Sequence, residues 1–186
     1  MRVPSISSSP MRVAPQQDRS ARRLAGFLQA AGELFAAVGY EATTMQAIAD
    51  RSDSSIGALY NYFPDKESVA ATLRQQYSED LQSRVKSLMV ESNNLSAVRF
   101  AESFIDCITD FVQDRPAWLN LVTAPISLHR AKSARNALRS TIADAFRSKN
   151  PFLSPERALL AAIRQRTNSR LFNVFHHVFF SPASKY

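Results

Sequence analysis

Apolar side chains recur at helical spacing along most of this chain. Between residues 22 and 38 they follow the i, i+3, i+4, i+7 order of a helix that buries one stripe, and Gly39 stands where a left-handed residue commonly ends such a helix. The three clearest stripes are Leu24, Phe27, Leu28, Ala31, Leu34, Phe35 and Val38; Val69, Leu73, Tyr77, Leu81, Val85 and Leu88; and Val98, Ala101, Phe104, Ile105, Ile108, Phe111 and Val112. Alternating runs typical of strands are absent from the sequence, which therefore predicts an all-α protein.

A short helix is predicted after Gly39. Thr43 or Thr44 can serve as its N-cap, and Thr43 with Gln46 has the spacing of a capping box. The helix is expected to end near Arg51. Its inward face comprises Met45, Ile48 and Ala49.

The stretch SDSSIGALYNYFP, from residue 52 to residue 64, is unusually polar and aromatic for a helical protein. After a turn at residues 52–54, Ser55 can cap a second short helix. Phe63 precedes Pro64, and the residue before a proline disfavours helical geometry, so this helix is expected to end there. Asp65 can then cap the next helix. Two short capped helices that follow a long amphipathic one predict a helix-turn-helix.

The outward face of the second short helix suits contact with DNA. In a helix-turn-helix this helix enters the major groove, where base edges are read by hydrogen bonds. Gly57 and Ala58 lack bulk, Asn61 can pair with a base edge, and an aromatic ring can contact a thymine methyl group. Lys66, at the start of the next helix, combines a positive charge with free helix amides and therefore suits a phosphate.

The stretch FAAVGYEATTMQAIADRSDSSIGALYNYFPDKESV resembles the DNA-binding domain of the TetR family of bacterial transcriptional regulators. The family pattern is met, in order and without gaps, by Gly39-Tyr40, Thr43-Thr44, Ile48-Ala49, Ser55-x-Gly57-x-Leu59-Tyr60 and Tyr62-Phe63-x-x-Lys66. One departure is Asp53-Ser54, where the family often has Gly-Val, and it makes the turn more polar.

Residue by residue, the resemblance implies two kinds of DNA contact. Phosphate contacts are implied for Thr44, Tyr60, Tyr62 and Lys66, and groove contacts for Met45, Ser55, Gly57, Ala58 and Asn61. Core positions are implied for Ile48, Leu59 and Phe63. Tyr60 can also pack on the small core with its hydroxyl outward. Arg22 and Arg23 are either further phosphate contacts or solvated charges.

Residues 1–19 carry arginines but no apolar signal-peptide core and are expected to form a disordered arm. Residues 20–68 are expected to form the helix-turn-helix domain. The resemblance implies that residues 69–186 form a larger helical domain for effector binding and dimerisation. Within the larger domain, Pro116 and Pro155 are expected at the first positions of helices, and a basic helix is expected from about residue 127 to residue 149.

The formal charge of +7 does not by itself identify the end that meets DNA. Residues 1–66 hold 7 basic and 6 acidic side chains, whereas residues 67–186 hold 16 and 10. The basic run between Arg130 and Arg147 is most simply the solvated face of a helix, and a pocket for an anionic effector is the alternative.

Phe104, Phe111 and Trp118 are candidates for the lining of an apolar effector pocket in the larger domain. A plain hydrophobic core explains the same stripe and is the alternative interpretation. The single cysteine, Cys107, fits a small buried side chain in a reducing compartment better than a redox sensor.

Neither metal nor catalytic chemistry is indicated. The three histidines, His129, His176 and His177, lack carboxylate or cysteine partners at metal spacing, so no metal or other cofactor is expected. No nucleophile–base pair or phosphate loop is visible, so an enzyme is not expected. No apolar run approaches the roughly 18 residues of a membrane span, and a cytoplasmic location is expected.

The sequence changes character after residue 163. The run RQRTNSR is entirely polar, and LFNVFHHVFF is aromatic with little helical order. One hypothesis is a variant end that shortens a dimer interface. The alternative is a divergent helix that keeps an apolar stripe at Leu171, Phe172, Phe175, Val178 and Phe179.

The expected function is that of a ligand-responsive transcriptional regulator, with repression favoured over activation. The expected partners are a near-palindromic double-stranded DNA operator, a small-molecule effector and a second copy of the chain, with no membrane. The alternative is a helical interaction protein whose helix-turn-helix no longer reads DNA specifically.

Overall fold

The computed structural model describes residues 14–124, 131–149, 152 and 157. Within these ranges the ordered elements are helices, and no strand occurs. The helices are α1 (Ala14–Ala42), α2 (Met45–Arg51), α3 (Ile56–Tyr60), α4 (Lys66–Glu91), α5 (Ala97–Asp114), α6 (Ala117–Thr123) and α7 (Ala131–Lys149). The all-α prediction is confirmed, with a helix-turn-helix followed by a larger helical domain. The helix expected at Pro155 and the tail after residue 163 lie outside the described residues.

Helix α1 begins earlier than the sequence pattern indicated. Its first residue is Ala14, so residues 14–19, expected in a disordered arm, are helical. The boundary was placed too late because the sequence of residues 14–19, APQQDR, has no apolar stripe at helical spacing. At the other end, Gly39 adopts φ 82° and ψ 171°, which bends the chain before the last helical residues. Val38, assigned to the buried stripe, is 55% exposed beside this bend.

A first hydrophobic core, here called the N-terminal core, joins α1, α2, α3 and the start of α4. Its fully buried side chains include the predicted core residues Ile48 and Leu59, and Phe63 is 5% exposed. The remaining buried members are Phe27, Leu28, Ala30, Ala31, Phe35, Ala49, Val69, Ala70, Leu73, Ala117 and Leu121. Burial of this many apolar side chains fixes the short helices α2 and α3, which are too short to be stable alone.

A second core, here called the C-terminal core, lies between α4, α5, α6 and α7. Phe100, Phe104 and Phe146 pack edge to face or tilted against one another, with ring centroids 5.2–6.4 Å apart. The aliphatic members are Leu81, Val85, Ala101, Ile105, Ile108, Ile142 and Ala145. Val98 is 57% exposed although its spacing placed it on the apolar stripe of α5.

Helix α6 contributes to both cores. Ala117 and Leu121 are buried in the N-terminal core, whereas Trp118 is buried in the C-terminal core. The Asn120 side chain donates a 2.6 Å hydrogen bond from Nδ2 to the carbonyl oxygen of Phe35, near the end of the regular part of α1. One seven-residue helix therefore joins the two domains through packing and through a hydrogen bond.

Candidate nucleic-acid interface

Helix α2 is capped by the second of the two candidate threonines. Thr44 Oγ1 accepts a 3.1 Å hydrogen bond from the Ala47 amide, as an N-cap does. Thr43 is instead buried, and its hydroxyl donates to the Gly39 carbonyl oxygen at 2.7 Å. The proposed capping box of Thr43 and Gln46 is therefore wrong. The Gln46 amide donates to Asp50 on the next turn.

The turn between α2 and α3 depends on a left-handed residue. Asp53 has a φ of 50°, in a region that aspartate tolerates better than most non-glycine residues. The following Ser54 amide donates to the Ala49 carbonyl oxygen at 3.0 Å, which closes the end of α2. Aspartate therefore occupies a left-handed position that glycine would adopt without strain.

Helix α3 presents small and polar groups outward while Leu59 fixes its inner face. Ser55 Oγ accepts a 3.2 Å hydrogen bond from the Ala58 amide, which confirms the predicted cap. A Cβ placed on Gly57 would meet no atom within 4 Å, so the backbone there faces open space. Tyr60 is 51% exposed, and Asn61 at the C-cap is also exposed.

Three of the predicted contact residues are shared with the core. Met45, Ala58 and Tyr62 are half-buried and pack against the N-terminal core. The Tyr62 ring lies edge-on to Phe27 with centroids 5.5 Å apart, and its hydroxyl lies 3.0 Å from the Ser20 hydroxyl on α1. Each of these side chains is therefore only partly accessible to DNA, and its packing on the core sets its position.

The Lys66 ammonium is bound to the end of α1. Its Nζ donates to the carbonyl oxygens of Tyr40 at 2.7 Å and Glu41 at 3.0 Å, and it lies 4.4 Å from the centre of the Tyr40 ring. An ammonium has three donors, so one remains for a phosphate. Asp65 caps α4 through the Ser68 amide at 2.6 Å, which confirms the predicted cap. Lys66 is therefore a structural residue as well as a candidate phosphate contact.

An ion pair that sequence reasoning missed braces α2 against α1. Arg51 Nε donates to the Glu33 carboxylate at 2.7 Å. Hydrogen bonding from Arg51, then from Gln29, lowers the pKa of Glu33 below its ordinary value. The two residues are 18 positions apart on different helices, and no local spacing signals their contact.

The candidate effector residues are core residues in this structure. Phe104 and Phe111 are 1% and 0% exposed, and Trp118 is 4% exposed. The Trp118 ring packs edge to face on Phe111, with centroids 5.6 Å apart, and on Tyr77 at 6.4 Å. These contacts favour the core interpretation of the stripe over an open pocket. Burial raises the pKa of the Cys107 thiol, as expected for a half-buried cysteine.

A cleft of about 420 Å³ lies elsewhere, between α1, α4 and the start of α6. Its lining contains none of the three candidate effector residues. Gly32 forms part of its wall. The Tyr77 hydroxyl lies 3.0 Å from where a Cβ would stand on that glycine. The lining is Ala25, Leu28, Gln29, Gly32, Glu33, Ala36, Leu73, Gln76, Tyr77, Asp114, Arg115, Pro116 and Ala117.

The described ranges hold neither a metal-ligand cluster nor a membrane-spanning helix. In the described part of the chain, no three His, Cys, Asp or Glu side chains converge as metal ligands would. None of the described helices combines the length and the hydropathy that a bilayer crossing requires. The three histidines discussed above lie outside these residues.

Comparison with known proteins identifies the N-terminal region. Residues 27–73 match the family model of bacterial regulatory proteins of the tetR family. The chain is 38% identical over 66 residues to the HTH-type transcriptional repressor KstR of Mycobacterium tuberculosis, which is 36% of this chain and 28% of that protein. It is 29% identical over 143 residues to the HTH-type transcriptional activator FasR of Mycolicibacterium smegmatis, which is 73% of this chain and 64% of that protein. The similarity thus spans about a quarter of KstR and under two thirds of FasR.

Solved structures extend the likeness to the larger domain. A gamma-butyrolactone receptor (ArpA like protein) superposes with a TM-score of 0.64 at 19% identity, over 86% of this chain and 84% of that one. The fatty acid degradation regulator FadR from Bacillus halodurans gives a TM-score of 0.59 at 16% identity, over 84% and 79%. At these identities the likeness concerns the fold.

Fold and interface together define a helix-turn-helix protein with an all-α second domain. Residues 27–73 therefore match the domain that defines bacterial regulatory proteins of the tetR family, and the described helices have the fold of the solved structures above.

Proposed function

We propose that this chain is a ligand-responsive transcriptional repressor that binds a near-palindromic DNA operator as a homodimer. The observation that carries the proposal is the outer face of α3. Its backbone is open at Gly57, and the exposed side chains of Tyr60 and Asn61 follow on the next turn. A short helix with this surface fits the major groove, where a bulkier or acidic face would not.

The proposed contacts fall into two groups with different consequences for binding. Groove contacts are proposed for Met45, Ser55, Gly57, Ala58 and Asn61, and phosphate contacts for Thr44, Tyr60, Tyr62 and Lys66. All nine residues lie between Thr44, the N-cap of α2, and Lys66, the first residue of α4. Phosphate contacts set the register of the protein on the duplex, whereas groove contacts select the sequence.

A homodimer follows from the geometry of operator recognition. One α3 helix spans only a few base pairs, so a specific site requires two copies in successive major grooves. Half-site centres about 34–36 Å apart, or a multiple of that distance, match one turn of B-DNA. In this proposal the larger domain, residues 69–186, supplies the contact between the copies.

Release by a small molecule is proposed through the larger domain. An effector shifts the population of conformers only by its differential affinity for them. Helix α6 is the described element best placed to respond, because Trp118 lies in the C-terminal core while Ala117 and Leu121 lie in the N-terminal core. The relatives include a repressor, KstR, and an activator, FasR, and repression is proposed for this chain.

Selection of bound duplexes from a random DNA pool tests the proposal. The full chain is used at near-physiological salt, and enriched sequences are aligned for twofold symmetry. Enrichment of a near-palindrome supports specific dimeric binding, and transcription from a promoter carrying that site then distinguishes repression from activation. A pool that stays random, with weak and strongly salt-dependent binding, would instead support a helical interaction protein.

Two substitutions separate base reading from phosphate binding on the enriched site. Asn61→Ala is expected to relax preference at one base position, at a cost of about 1–3 kcal/mol there. Lys66→Met is expected to weaken binding to all sequences alike. If Asn61→Ala weakens binding equally to every operator variant, Asn61 does not contact a base.

A further inference from the structure

The cleft between α1, α4 and the start of α6, here called the junction cleft, lies where the helix-turn-helix meets the larger domain. Its volume of about 420 Å³ is in the range of sites that hold small organic molecules. Leu28, Leu73 and Ala117 are buried parts of its wall. The junction cleft therefore offers apolar surface that none of the proposed DNA contacts uses.

On one side of the junction cleft, the charged residues are held by a network within the larger domain. Arg84 binds Asp80 at 3.3 Å and Asp114 at 2.9 Å. Arg115 binds the same Asp80 carboxylate at 3.2 Å. The Arg84 and Asp80 side chains are only 29% and 33% exposed, so their pairing is partly shielded from water. Asp114 and Arg115, which line the cleft, are therefore already matched in charge.

On the other side, the Glu33 carboxylate belongs to a simpler and more exposed pair. It accepts hydrogen bonds from Arg51 Nε on α2 at 2.7 Å and from the Gln29 side chain at 3.2 Å. The Arg51 and Glu33 side chains are 58% and 41% exposed, and ion pairs this exposed are weak. Another cation can therefore take the place of Arg51 at little cost.

We propose that the junction cleft binds a small organic cation, with its ammonium group at Glu33 and its apolar body against Leu28 and Leu73. The inference rests on the function proposed above and gives its effector a site and a chemical class. An ammonium has three donors, and the side-chain oxygens of Gln29 and Gln76, at the same cleft, can accept from those that Glu33 leaves.

A cation at Glu33 competes with Arg51 and thereby acts on α2. The Glu33–Arg51 pair joins α1 to α2, whose N-cap Thr44 and first residue Met45 are proposed DNA contacts. Binding of the cation removes this brace and so weakens operator binding. The coupling is reciprocal, so the bound operator lowers the affinity for the cation by the same factor.

Calorimetric titration of the free full chain with octylammonium, octanol and octanoate tests the chemical class, because the three probes share one apolar tail. We expect octylammonium to bind about twofold to fivefold more tightly than octanol, the gain of one exposed ion pair, and octanoate to bind most weakly. An ammonium that does not bind, or that binds no more tightly than the alcohol, would overturn the proposal.

Two substitutions in the ion pair are expected to change the octylammonium affinity in opposite directions, which a general loss of stability would not do. Glu33→Gln should lower it to that of octanol, whereas Arg51→Gln removes the competitor and should raise it about twofold to fivefold. Glu79→Gln is the matched control, because Glu79 also accepts from a glutamine four residues earlier, at 3.0 Å, but lies outside the cleft lining. Shifts of the same sign would refute the role of the pair.

Gly32→Ala tests whether the probe occupies the cleft itself. The added Cβ would lie 3.0 Å from the Tyr77 hydroxyl and 3.5 Å from the Leu73 side chain, so it narrows the cleft. We expect weaker binding of both octylammonium and octanol. Gly26→Ala, whose methyl group meets no atom within 4 Å, should bind both as the wild type does. Unchanged binding by Gly32→Ala would place the probe elsewhere and overturn the proposal.

Repeating the octylammonium titration with the selected operator bound separates this inference from the proposed function. We expect about twofold to fivefold weaker binding to the complex, and no such difference for Arg51→Gln. If no operator can be selected, the proposed function fails, and the titrations of the free chain still decide the site. If the affinity is the same with and without operator, the proposed coupling to α2 is refuted.

Discussion

The Lys66 ammonium donates to the Tyr40 carbonyl oxygen at 2.7 Å and lies 4.4 Å from the centre of the same residue's ring. This contact joins the first residue of α4 to the last turn of α1, just past the bend at Gly39. The carbonyl oxygens at a helix end have no partner within the helix. Lys66 satisfies two of them, so its side chain ties the start of α4 to the end of α1.

Replacing Lys66 is therefore expected to lower the stability of the free protein. Lys66→Met removes two charge-assisted hydrogen bonds at a partly exposed site, and we expect a loss of about 1–2 kcal/mol in the free energy of unfolding. Urea denaturation without DNA measures it. The same change at Lys86, which is exposed on α4, is the control. If the two variants are equally stable, the hydrogen bonds of Lys66 to α1 do not stabilise the fold, and only its proposed phosphate contact remains.

Gly57→Ala should separate folding from DNA binding. An added methyl group meets no atom within 4 Å, and alanine favours a helix over glycine by roughly 0.5–1 kcal/mol, so the free protein should be as stable as the wild type or slightly more. In the groove the same methyl group stands between the backbone and the bases. We expect operator affinity to fall by at least about tenfold, or about 1.4 kcal/mol.

Gly26→Ala is the matched control for that substitution. Its added methyl group also meets open space, but on α1 rather than α3. Gel-shift titration of the selected operator should show unchanged affinity for Gly26→Ala. A Gly57→Ala protein that binds as tightly as the wild type would show that α3 does not approach DNA through its backbone.

Phe104→Ala tests whether this side chain belongs to the core or to an effector pocket. Phe104 is 1% exposed and packs against Phe100 and Phe146, so truncation should leave a cavity and cost about 3–5 kcal/mol. Val98→Ala, at an exposed position of the same helix, should be close to neutral. Thermal denaturation of both variants gives the comparison. A Phe104→Ala protein of wild-type stability would instead support the pocket interpretation.

The Glu33–Arg51 ion pair should make the free energy of unfolding depend slightly on pH in the acid range. The pKa of Glu33 is lowered in the folded protein from its ordinary value of 4.5, so its contribution is fully present above that value. The contribution disappears as pH falls through the folded pKa, because the unfolded state then binds the proton more readily. A double-mutant cycle of Glu33→Gln and Arg51→Gln, followed by denaturation at pH 7 and at pH 3, measures the coupling. A coupling that persists undiminished at the lower pH would exclude the ion pair as its source.

Local signals in the sequence predicted the helices and the helix-turn-helix correctly. Ser55 and Asp65 cap α3 and α4 as expected, because a cap uses side-chain and amide groups within three residues of each other. The buried positions Ile48 and Leu59 follow from the same short-range periodicity. Of the two candidate caps of α2, capping-box spacing favoured Thr43, whereas the structure uses Thr44. The bend at Gly39 decided between them, by directing the Thr43 hydroxyl to its carbonyl oxygen.

The contacts between distant segments were decided by the tertiary structure alone. The Ser20–Tyr62 pair and the hydrogen bond from Asn120 to Phe35 join residues 42 and 85 positions apart, and no local spacing encodes such pairs. Helical periodicity gives the direction of a side chain around its own helix but not which helix lies opposite. The sequence by itself thus determined the helices of the helix-turn-helix and the small, polar outer face of α3. Packing determined that Phe104 is core, that Lys66 closes the end of α1, and that α1 reaches the segment after α3.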